Sequence, residues 1–334
     1  MNVIIPVAGI GKRLRPHTHT KPKPLLKVAG KSILGHIIDS IKPLNPEKIV
    51  FVIGHYGKMI KEYLKANYPE YSSRFEYVEQ ERREGLGHAV YLALQKVEPS
   101  ESVMVVLGDT IFDVDYENIL AGGKNIICVS ETDDPKRFGI VQIYGDRVVD
   151  LVEKPENPPS NLAIVGIYYF LRGSEIYASL KYIIENNIKT RGEYQITDAM
   201  KHFIKENELF IYRIKGWYDC GKTETLLKTN RFLLERHNSP GSGKNSVIIP
   251  PVYIPQGVFV ENSIVGPYVS VGDNSVIKNS IVRNSIIYDG ARVENVLLED
   301  SIVGEDAAIV EDFKVMSIGD HSIIETLNRE RKEE

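Results

Sequence analysis

The segment 6–26 joins glycines to a dense set of positive charges and reads PVAGIGKRLRPHTHTKPKPLL. Gly9 and Gly11 would let backbone N–H groups approach a phosphate closely. Arg13 can chelate phosphate oxygens with its planar guanidinium, and Lys23 can act as a mobile point charge. The spacing matches neither the P-loop nor the dinucleotide-binding fingerprint, and a surface loop with incidental lysines has the same composition. Phosphate binding is therefore a hypothesis that needs a second signal.

The aspartate Asp109 follows an apolar run in the segment LGDTIF, residues 107–112. A buried strand predicted over 103–107 places Asp109 at the carboxyl end of that strand, where parallel sheets bind their ligands. A carboxylate at that position suits a divalent cation. An Asx-turn or a helix N-cap accounts equally well for an aspartate that follows glycine.

The elements that must position these residues alternate between strand and helix. Such alternation is typical of parallel βαβ units with helices on both faces of the sheet. From residue 126 onward, predicted strands follow one another with little helix between them. The sequence therefore predicts an α/β fold with a Rossmann-like, doubly wound mixed sheet. The first strands are predicted at 3–7, 48–53, 75–78 and 103–107, and the first helices at 32–41, 58–67 and 88–96.

Beyond residue 245, apolar residues recur about every six positions, with Gly, Asn and Asp in the intervening turns. This period, with β-branched residues at the inward positions, predicts a parallel β-helix of the left-handed, hexapeptide-repeat type. Roughly 80 residues allow about four or five coils. We expect the first domain at 1–237, a turn-rich linker at 238–245, the β-helix at 246–325 and a charged tail at 326–334. The repeat is carried by Val252, Val258, Ile264, Val269, Val276 and Ile281.

Composition limits the classes of ligand. The formal net charge is −4, so no overall basic field attracts nucleic acid, and phosphate binding requires local positive charge. The two cysteines, Cys128 and Cys220, lie far apart, which favours a reducing cytoplasm over a disulfide framework. No apolar run approaches the ~20 residues that span a bilayer. We expect a cytoplasmic protein without nucleic-acid or membrane partners. The local charge comes from Lys12, Arg13, Arg15, Lys21, Lys23, Lys27 and Lys31.

The order GxGxRLxP followed by PKPLL resembles the signature of the sugar-1-phosphate nucleotidylyltransferases, which include glucose-1-phosphate thymidylyltransferases and uridylyltransferases. The resemblance implies that a nucleoside triphosphate and a sugar phosphate react to give a nucleotide sugar and pyrophosphate. It assigns Arg13 and Lys23 to catalysis at the triphosphate, and the loop residues Ala8, Gly9 and Gly11 to nucleotide binding. Lys12 belongs to the same loop, although the family often has Thr there.

The resemblance extends in family order to about residue 235. Gln80 and Gly85 correspond to the positions that read the base, and Asp109 and Asp219 to a pair of aspartates that binds Mg²⁺. Thr197 and Asp198 match the family stretch ITD, but they also suit a helix N-terminus. We expect Trp217, the single tryptophan of the sequence, to pack within the protein and not to stack on a base. The sugar-phosphate pocket is assigned to Gly139, Glu153, Lys154, Val165, Tyr168 and Arg191.

Three alternatives stay open. The β-helix could add an acyltransferase activity, although related acyltransferases use a histidine and the β-helix has none before His321. The chain could be a non-catalytic subunit that senses nucleotide sugars. The substrates expected are dTTP or UTP with glucose-1-phosphate, and the weaker option is GTP with mannose-1-phosphate. The strand edges of the β-helix favour a homo-oligomer.

Overall fold

The computed structural model describes residues 1–312. The end of the predicted β-helix, with His321, and the predicted tail 326–334 lie outside the described residues. Among the described residues, no helix is long and apolar enough to cross a membrane. Both cysteines are buried and free.

A nine-stranded mixed sheet forms the centre of the first domain. The first-domain strands are β1 (Asn2–Pro6), β2 (Lys27–Val28), β3 (Lys31–Ser32), β4 (Lys48–Ile53), β5 (Phe75–Glu79), β6 (Val103–Val106), β7 (Thr110–Asp113), β8 (Ile126–Glu131), β9 (Gly139–Tyr144), β10 (Arg147–Glu153), β11 (Leu162–Phe170), β12 (Phe210–Arg213) and β13 (Gly216–Asp219). The helices are α1 (Ile33–Ile41), α2 (Gly57–Asn67), α3 (Leu86–Leu94), α4 (Tyr116–Ala121), α5 (Gly173–Glu185), α6 (Ile196–Phe203) and α7 (Thr223–Arg236).

The strand order of this sheet is β5-β4-β1-β6-β11-β8-β12-β10-β9. β1 pairs in parallel with β4 and β6, and β4 pairs in parallel with β5. β11 runs antiparallel to both β6 and β8, which makes the sheet mixed. The carboxyl ends of β1 and β6 therefore lie side by side, and the segments after them carry the glycine loop and Asp109.

Apolar side chains cover both faces of the sheet. Along β1, Val3 and Ile5 pack into one core together with Ile37 of α1. Ile4, between them, points to the opposite core, where it packs with Val90 of α3. Each of these aliphatic side chains contributes about 1.5–3 kcal/mol when it is fully buried. Burial on both faces confirms the predicted doubly wound α/β fold.

A separate two-stranded sheet was not predicted from the sequence. β7 pairs antiparallel with β13, so that Asp219 lies opposite Thr110 and Gly216 lies opposite Asp113. The backbone N–H of Cys220 also donates to the carbonyl of Asp109. Both strands are short and only partly buried, so neither carries a long apolar run. This small sheet brings two aspartates together that are far apart in the sequence.

The β-helix predicted beyond residue 245 is confirmed, with three parallel sheets of four strands each. Inward residues such as Val265, Ile277 and Val282 are fully buried. At one corner, Asn262 donates to Asn279, and Asn279 donates to Asn295, so stacked amides pair from coil to coil. Its strands are β14 (Val247–Ile248), β15 (Val252–Tyr253), β16 (Phe259–Glu261), β17 (Ile264–Val265), β18 (Val269–Val271), β19 (Val276–Lys278), β20 (Ile281–Arg283), β21 (Ile286–Ile287), β22 (Arg292–Glu294), β23 (Leu297–Glu299), β24 (Ile302–Val303) and β25 (Ala308–Val310).

The segment predicted as a linker, 238–245, packs along the β-helix. Ser239 forms a parallel bridge with Tyr253, and Lys244 forms one with Glu261. These bridges extend two of the three sheets by one position, so the segment contributes an incomplete coil.

Candidate functional site

Two cavities adjoin at the carboxyl ends of the central strands. The first has a volume of about 460 Å³ and the second about 440 Å³. Their linings share four residues, which therefore mark where the cavities meet. The shared residues are Arg13, Leu86, Leu107 and Asp109.

The glycine loop after β1 forms one wall of the first cavity. Ala8, Gly9, Gly11 and Lys12, all predicted as nucleotide-binding, line this cavity. Gly11 adopts a φ of 69°, and a Cβ atom there would lie 2.9 Å from Cβ of Lys23. Glycine is therefore required both by the left-handed backbone and by the close approach of the Lys23 segment.

Lys23 lies between the two aspartates. Its side chain is 7 % exposed, and its Nζ atom is 2.8 Å from Oδ2 of Asp109 and 3.7 Å from Oδ1 of Asp219. The pairing of β7 with β13 sets the distance between the two aspartates, because Asp109 immediately precedes β7 and Asp219 ends β13. The predicted catalytic lysine and the predicted metal pair thus form one cluster.

The environment of Asp109 favours its ionised form. Desolvation raises the pKa of this carboxyl, but the charge and hydrogen bond of Lys23 oppose it. The hydroxyl of Thr110 also donates to Asp109, at 3.3 Å, and Arg13 adds positive charge. The net effect is a pKa below the usual aspartate value, so the side chain is a carboxylate at neutral pH.

The donor set suits magnesium better than zinc. Across residues 1–312, no three His, Cys, Asp or Glu side chains group as a metal cluster. Two carboxylates at the junction of two cavities fit Mg²⁺, which binds one or two protein carboxylates and completes its shell with phosphate oxygens and water. Zinc sites instead use three or four protein ligands.

Gln80 lies in the wall of the first cavity with a fixed amide orientation. Its Nε2 atom donates to the carbonyl of Gly85 at 3.0 Å and lies 3.3 Å from Nδ1 of His88. Because a carbonyl cannot donate, the amide atom facing Gly85 must be the nitrogen. Oε1 is then the atom of Gln80 that can accept from a ligand.

Gly85 immediately precedes α3, as its N-cap, in a conformation that favours glycine. Its φ is +108°, and a Cβ atom there would lie 2.5 Å from the carbonyl oxygen of Tyr194. The same carbonyl accepts from the N–H of Gly87. Gly85 therefore lets α3 dock on the 193–195 segment, in addition to lining the cavity.

The second cavity contains five of the six residues predicted for the sugar phosphate. Glu153 is nearly buried, and its Oε2 atom accepts a 2.7 Å hydrogen bond from Thr197. Lys154 lies 3.2 Å from the other oxygen of Glu153 and is 39 % exposed, so its ammonium group is accessible. The predicted residues that line this cavity are Gly139, Glu153, Lys154, Val165 and Tyr168.

Arg191 lies outside the linings of both cavities. Its side chain is exposed, and its Nη2 atom donates to the backbone carbonyl of Lys154 at 3.0 Å. A Cβ atom at Gly166, which follows Val165, would collide with the side chain of Leu107, so glycine makes room here for a residue that lines both cavities.

Several residues of the second cavity were not among the six that the sequence assigned to the sugar phosphate. Trp217 packs edge-on against Phe138, with ring centroids 4.7 Å apart, and both line the cavity. Arg137 precedes Phe138 and adds a cation to the lining. Arg137 lies two residues before Gly139, which the sequence did assign to this pocket. The positive charge next to Gly139 could therefore have been used to predict the role of Arg137. Thr110, Gln195 and Thr197 also line this cavity.

Six of the seven basic residues of the first 31 positions divide into two groups, and Arg15 belongs to neither. Lys12, Arg13 and Lys23 line the first cavity. Three further lysines pair with protein carboxylates, so the positive field at the cavities is smaller than the sequence suggested. These pairs are Lys21 with Glu305, Lys27 with Asp273 and Asp289, and Lys31 with Asp39.

Comparison with known proteins agrees with this arrangement. The sequence model of the nucleotidyl transferase family matches residues 2–236, which contain both cavities. The chain belongs to the nucleotidyl transferase family. The match ends at the last residue of α7, just before the β-helix.

Relatives resemble different parts of the chain. The bifunctional protein GlmU of Methanocaldococcus jannaschii is 37 % identical over 77 % of this chain, but the aligned region spans 61 % of that protein. The glucose-1-phosphate thymidylyltransferase of Streptomyces antibioticus is 29 % identical over 97 % of this chain and 99 % of its own length. A solved UDP-glucose pyrophosphorylase in complex with UDP-glucose superposes with a TM-score of 0.61 at 24 % identity, covering 71 % of this chain and 99 % of that one, and supports the fold.

Proposed function

We propose that this nucleotidyl transferase joins UTP or dTTP to glucose-1-phosphate, forming a nucleotide sugar and releasing pyrophosphate. The observation that carries the proposal is the meeting of the two cavities at Arg13 and Asp109. The reaction needs two anionic substrates in contact at their phosphates. At the junction, the cationic side chain of Arg13 can bind the phosphates, and the ionised carboxylate of Asp109 can bind a metal ion.

In this proposal the first cavity holds the nucleoside triphosphate. An oxygen of the sugar phosphate attacks the α-phosphorus, and the bond to the pyrophosphate oxygen breaks. A phosphate monoester dianion is already nucleophilic at neutral pH, so positioning and charge neutralisation carry the catalysis. Arg13 borders both cavities and can contact the phosphates of both substrates. Lys154 orients the sugar phosphate from the far side.

Asp109 and Asp219 are the residues that would hold Mg²⁺. The bound ion supplies positive charge that offsets the repulsion between the two phosphates. The positive charge of Lys23 lies beside the same two carboxylates. It is therefore close enough to the reacting phosphates to stabilise the negative charge of the departing pyrophosphate.

The orientation of Gln80 supports a base with an imide N–H. Uracil and thymine carry a hydrogen at N3, which the Oε1 atom can accept. Cytosine presents an acceptor at the equivalent position, and two acceptors facing each other are unfavourable. Guanine also has an N–H on this edge, so the orientation of Gln80 also accommodates GTP. GTP with mannose-1-phosphate is therefore the second candidate substrate pair.

The test is pyrophosphate release with Mg²⁺, across UTP, dTTP, GTP, CTP and ATP against glucose-1-phosphate, mannose-1-phosphate and N-acetylglucosamine-1-phosphate. Support requires release that depends on both substrates, favours UTP or dTTP, and is lost in Asp109→Ala. Release only with N-acetylglucosamine-1-phosphate would overturn the sugar assignment and keep the class. No release with any pair from folded protein would favour a non-catalytic, nucleotide-sugar-binding subunit.

A further inference from the structure

Three carboxylates lie along one corner of the β-helix, and we refer to Asp273, Asp289 and Glu305 as the acidic column. The strands β18, β21 and β24 stack in register, and each is followed two residues later by one of these side chains. The column is therefore a consequence of the coil repeat, which places equivalent turn positions above one another.

The acidic column faces the segment that carries Lys23. Nζ of Lys27 lies 3.0 Å from Oδ2 of Asp273 and 2.7 Å from Oδ2 of Asp289, and Lys21 pairs with Glu305. Desolvation lowers the pKa of Lys27, but the two aspartates outweigh it and hold the pKa above its usual value. Two lysines on the segment are thus anchored to three successive coils.

Lys23 lies between these two anchors in the sequence, and its side chain lines the first cavity and pairs with Asp109. It forms a single helical turn with the next two residues, closed by the N–H of Leu26 donating to the carbonyl of Lys23. The carbonyl of Leu26 then accepts from the N–H of Ile33. Lys27 follows this turn directly. A displacement of Lys27 must therefore move the backbone that sets the reach of the Lys23 side chain.

A third contact supports the same segment at the hairpin of β2 and β3. Gly30 presses against the ring of Tyr253, and a Cβ atom there would lie 2.2 Å from Cζ. Beside it, the N–H of Ala29 donates to Asn230 at 2.8 Å, and Asn230 donates to the carbonyl of Tyr268. The hairpin is thus bound both to α7 and to the β-helix.

We infer that the β-helix acts on catalysis through Lys27: the acidic column holds the Lys23 segment in the position that brings Nζ of Lys23 to the junction of the two cavities. Lys27 and Lys21 are positioning residues and contact no substrate. This inference rests on the proposed function for its effect on turnover, but the contact between the domains is independent of it.

The test compares the variants Lys27→Met and Asp273→Asn/Asp289→Asn with the wild type in the full chain. Both variants should lower kcat about tenfold, since small misplacements of a catalytic group reduce turnover strongly, and leave KM for the sugar phosphate unchanged. Hydrogen exchange of the backbone amides of residues 21–31 should become several times faster. Lys27→Arg keeps the charge and should restore most of kcat.

Lys31→Met is the matched control. Lys31 belongs to the same hairpin and is also ion-paired, but its partner Asp39 lies on α1 of the same domain. It should keep the wild-type kcat and the exchange rate of residues 21–27. If Lys27→Met fails to fold, as judged by circular dichroism, Asp289→Asn alone tests the contact from the β-helix side.

The outcomes separate the two proposals. Wild-type kcat in the aspartate double variant, whether or not exchange increases, would overturn the positioning role of the acidic column. Unchanged exchange would overturn the anchoring itself. If the wild type releases no pyrophosphate with any substrate pair, the proposed function fails, and the exchange measurement still decides whether the acidic column holds the segment.

Discussion

The Nζ atom of Lys23 lies 2.8 Å from Oδ2 of Asp109, at the point where the two cavities meet. The two residues come from different loops, one after β1 and one after β6. Lys23 also approaches Asp219, the other aspartate expected to bind Mg²⁺. One lysine thus contacts both carboxylates, and its removal has a definable effect.

Lys23→Ala should lower kcat by about 10²-fold or more, the scale for loss of one preorganised charge donor. The two carboxylates would then lose the cation between them, and charge on the departing pyrophosphate would be less stabilised. Steady-state pyrophosphate release measures the change. Lys31→Ala removes a lysine eight positions away that lies outside both cavities, and it should retain wild-type turnover. Equal turnover in Lys23→Ala and the wild type would exclude Lys23 from catalysis.

Asp219→Asn should weaken binding of Mg²⁺ while leaving the fold intact. The amide carries no charge, so only one carboxylate remains in the site. Mg²⁺ binds proteins through one or two carboxylates, so one can still hold it, but more weakly than two. The concentration of Mg²⁺ for half-maximal activity should rise, and the Mg²⁺-dependent increase in Tm should shrink. Asp113→Asn is the control, because Asp113 lies on the same small sheet but pairs with Arg236. The same Mg²⁺ dependence in Asp219→Asn and Asp113→Asn would remove Asp219 from the metal site.

Gln80→Leu should raise KM for UTP or dTTP by about tenfold, because an imide N–H left unpaired in the site costs about 1–3 kcal/mol and tenfold corresponds to about 1.4 kcal/mol. The discrimination against CTP should fall at the same time, since leucine favours neither base edge. Competition between UTP and CTP measures the ratio directly. Gln142→Leu changes a glutamine on β9 outside both cavities and should preserve it. An unchanged UTP-to-CTP ratio in Gln80→Leu would show that the base is read elsewhere.

Asp39 should make the stability of the first domain depend on pH in the acid range. Burial raises the pKa of its carboxyl, but Lys31 and Lys42 outweigh burial and hold the pKa below its usual value. A depressed pKa contributes stability that is present above the unfolded value of about 3.9 and lost as the pH falls through the folded value. Asp39→Asn should therefore lower Tm at pH 7, and the difference from wild type should shrink as the pH falls below the unfolded value and through the lower folded value.

Thermal unfolding followed between pH 2 and pH 8 would measure this difference (about two units below and about four units above the unfolded value). Asp133→Asn, at an exposed position, serves as the control for loss of one negative charge. A difference between Asp39→Asn and wild type that stays constant down to the lowest pH would contradict an ionic origin.

The strands and helices of the central sheet follow from local sequence. The run KIVFVI predicts a strand at 48–53, and β4 has these bounds. Such segments are recognised from a short, continuous apolar run or from apolar periodicity, both of which depend only on neighbouring residues. The same reason explains the β-helix, whose six-residue period repeats the inward Val and Ile positions. Resemblance in the order of motifs then indicated the family and nearly half of the residues that line the two cavities.

The tertiary structure decided which of those residues meet. β7 and β13 have four residues each and carry no long apolar run, so neither is recognised locally, yet their pairing places Asp219 next to Asp109. Arg191 matched a motif but lies outside the linings of both cavities, where its guanidinium donates to the backbone carbonyl of Lys154. Lys21 and Lys27 belong to the same basic segment as Lys23. Only the tertiary structure shows that they pair with the acidic column of the β-helix. Sequence determines what each charged side chain can do, whereas its partner depends on residues brought near by the fold, often more than a hundred positions away.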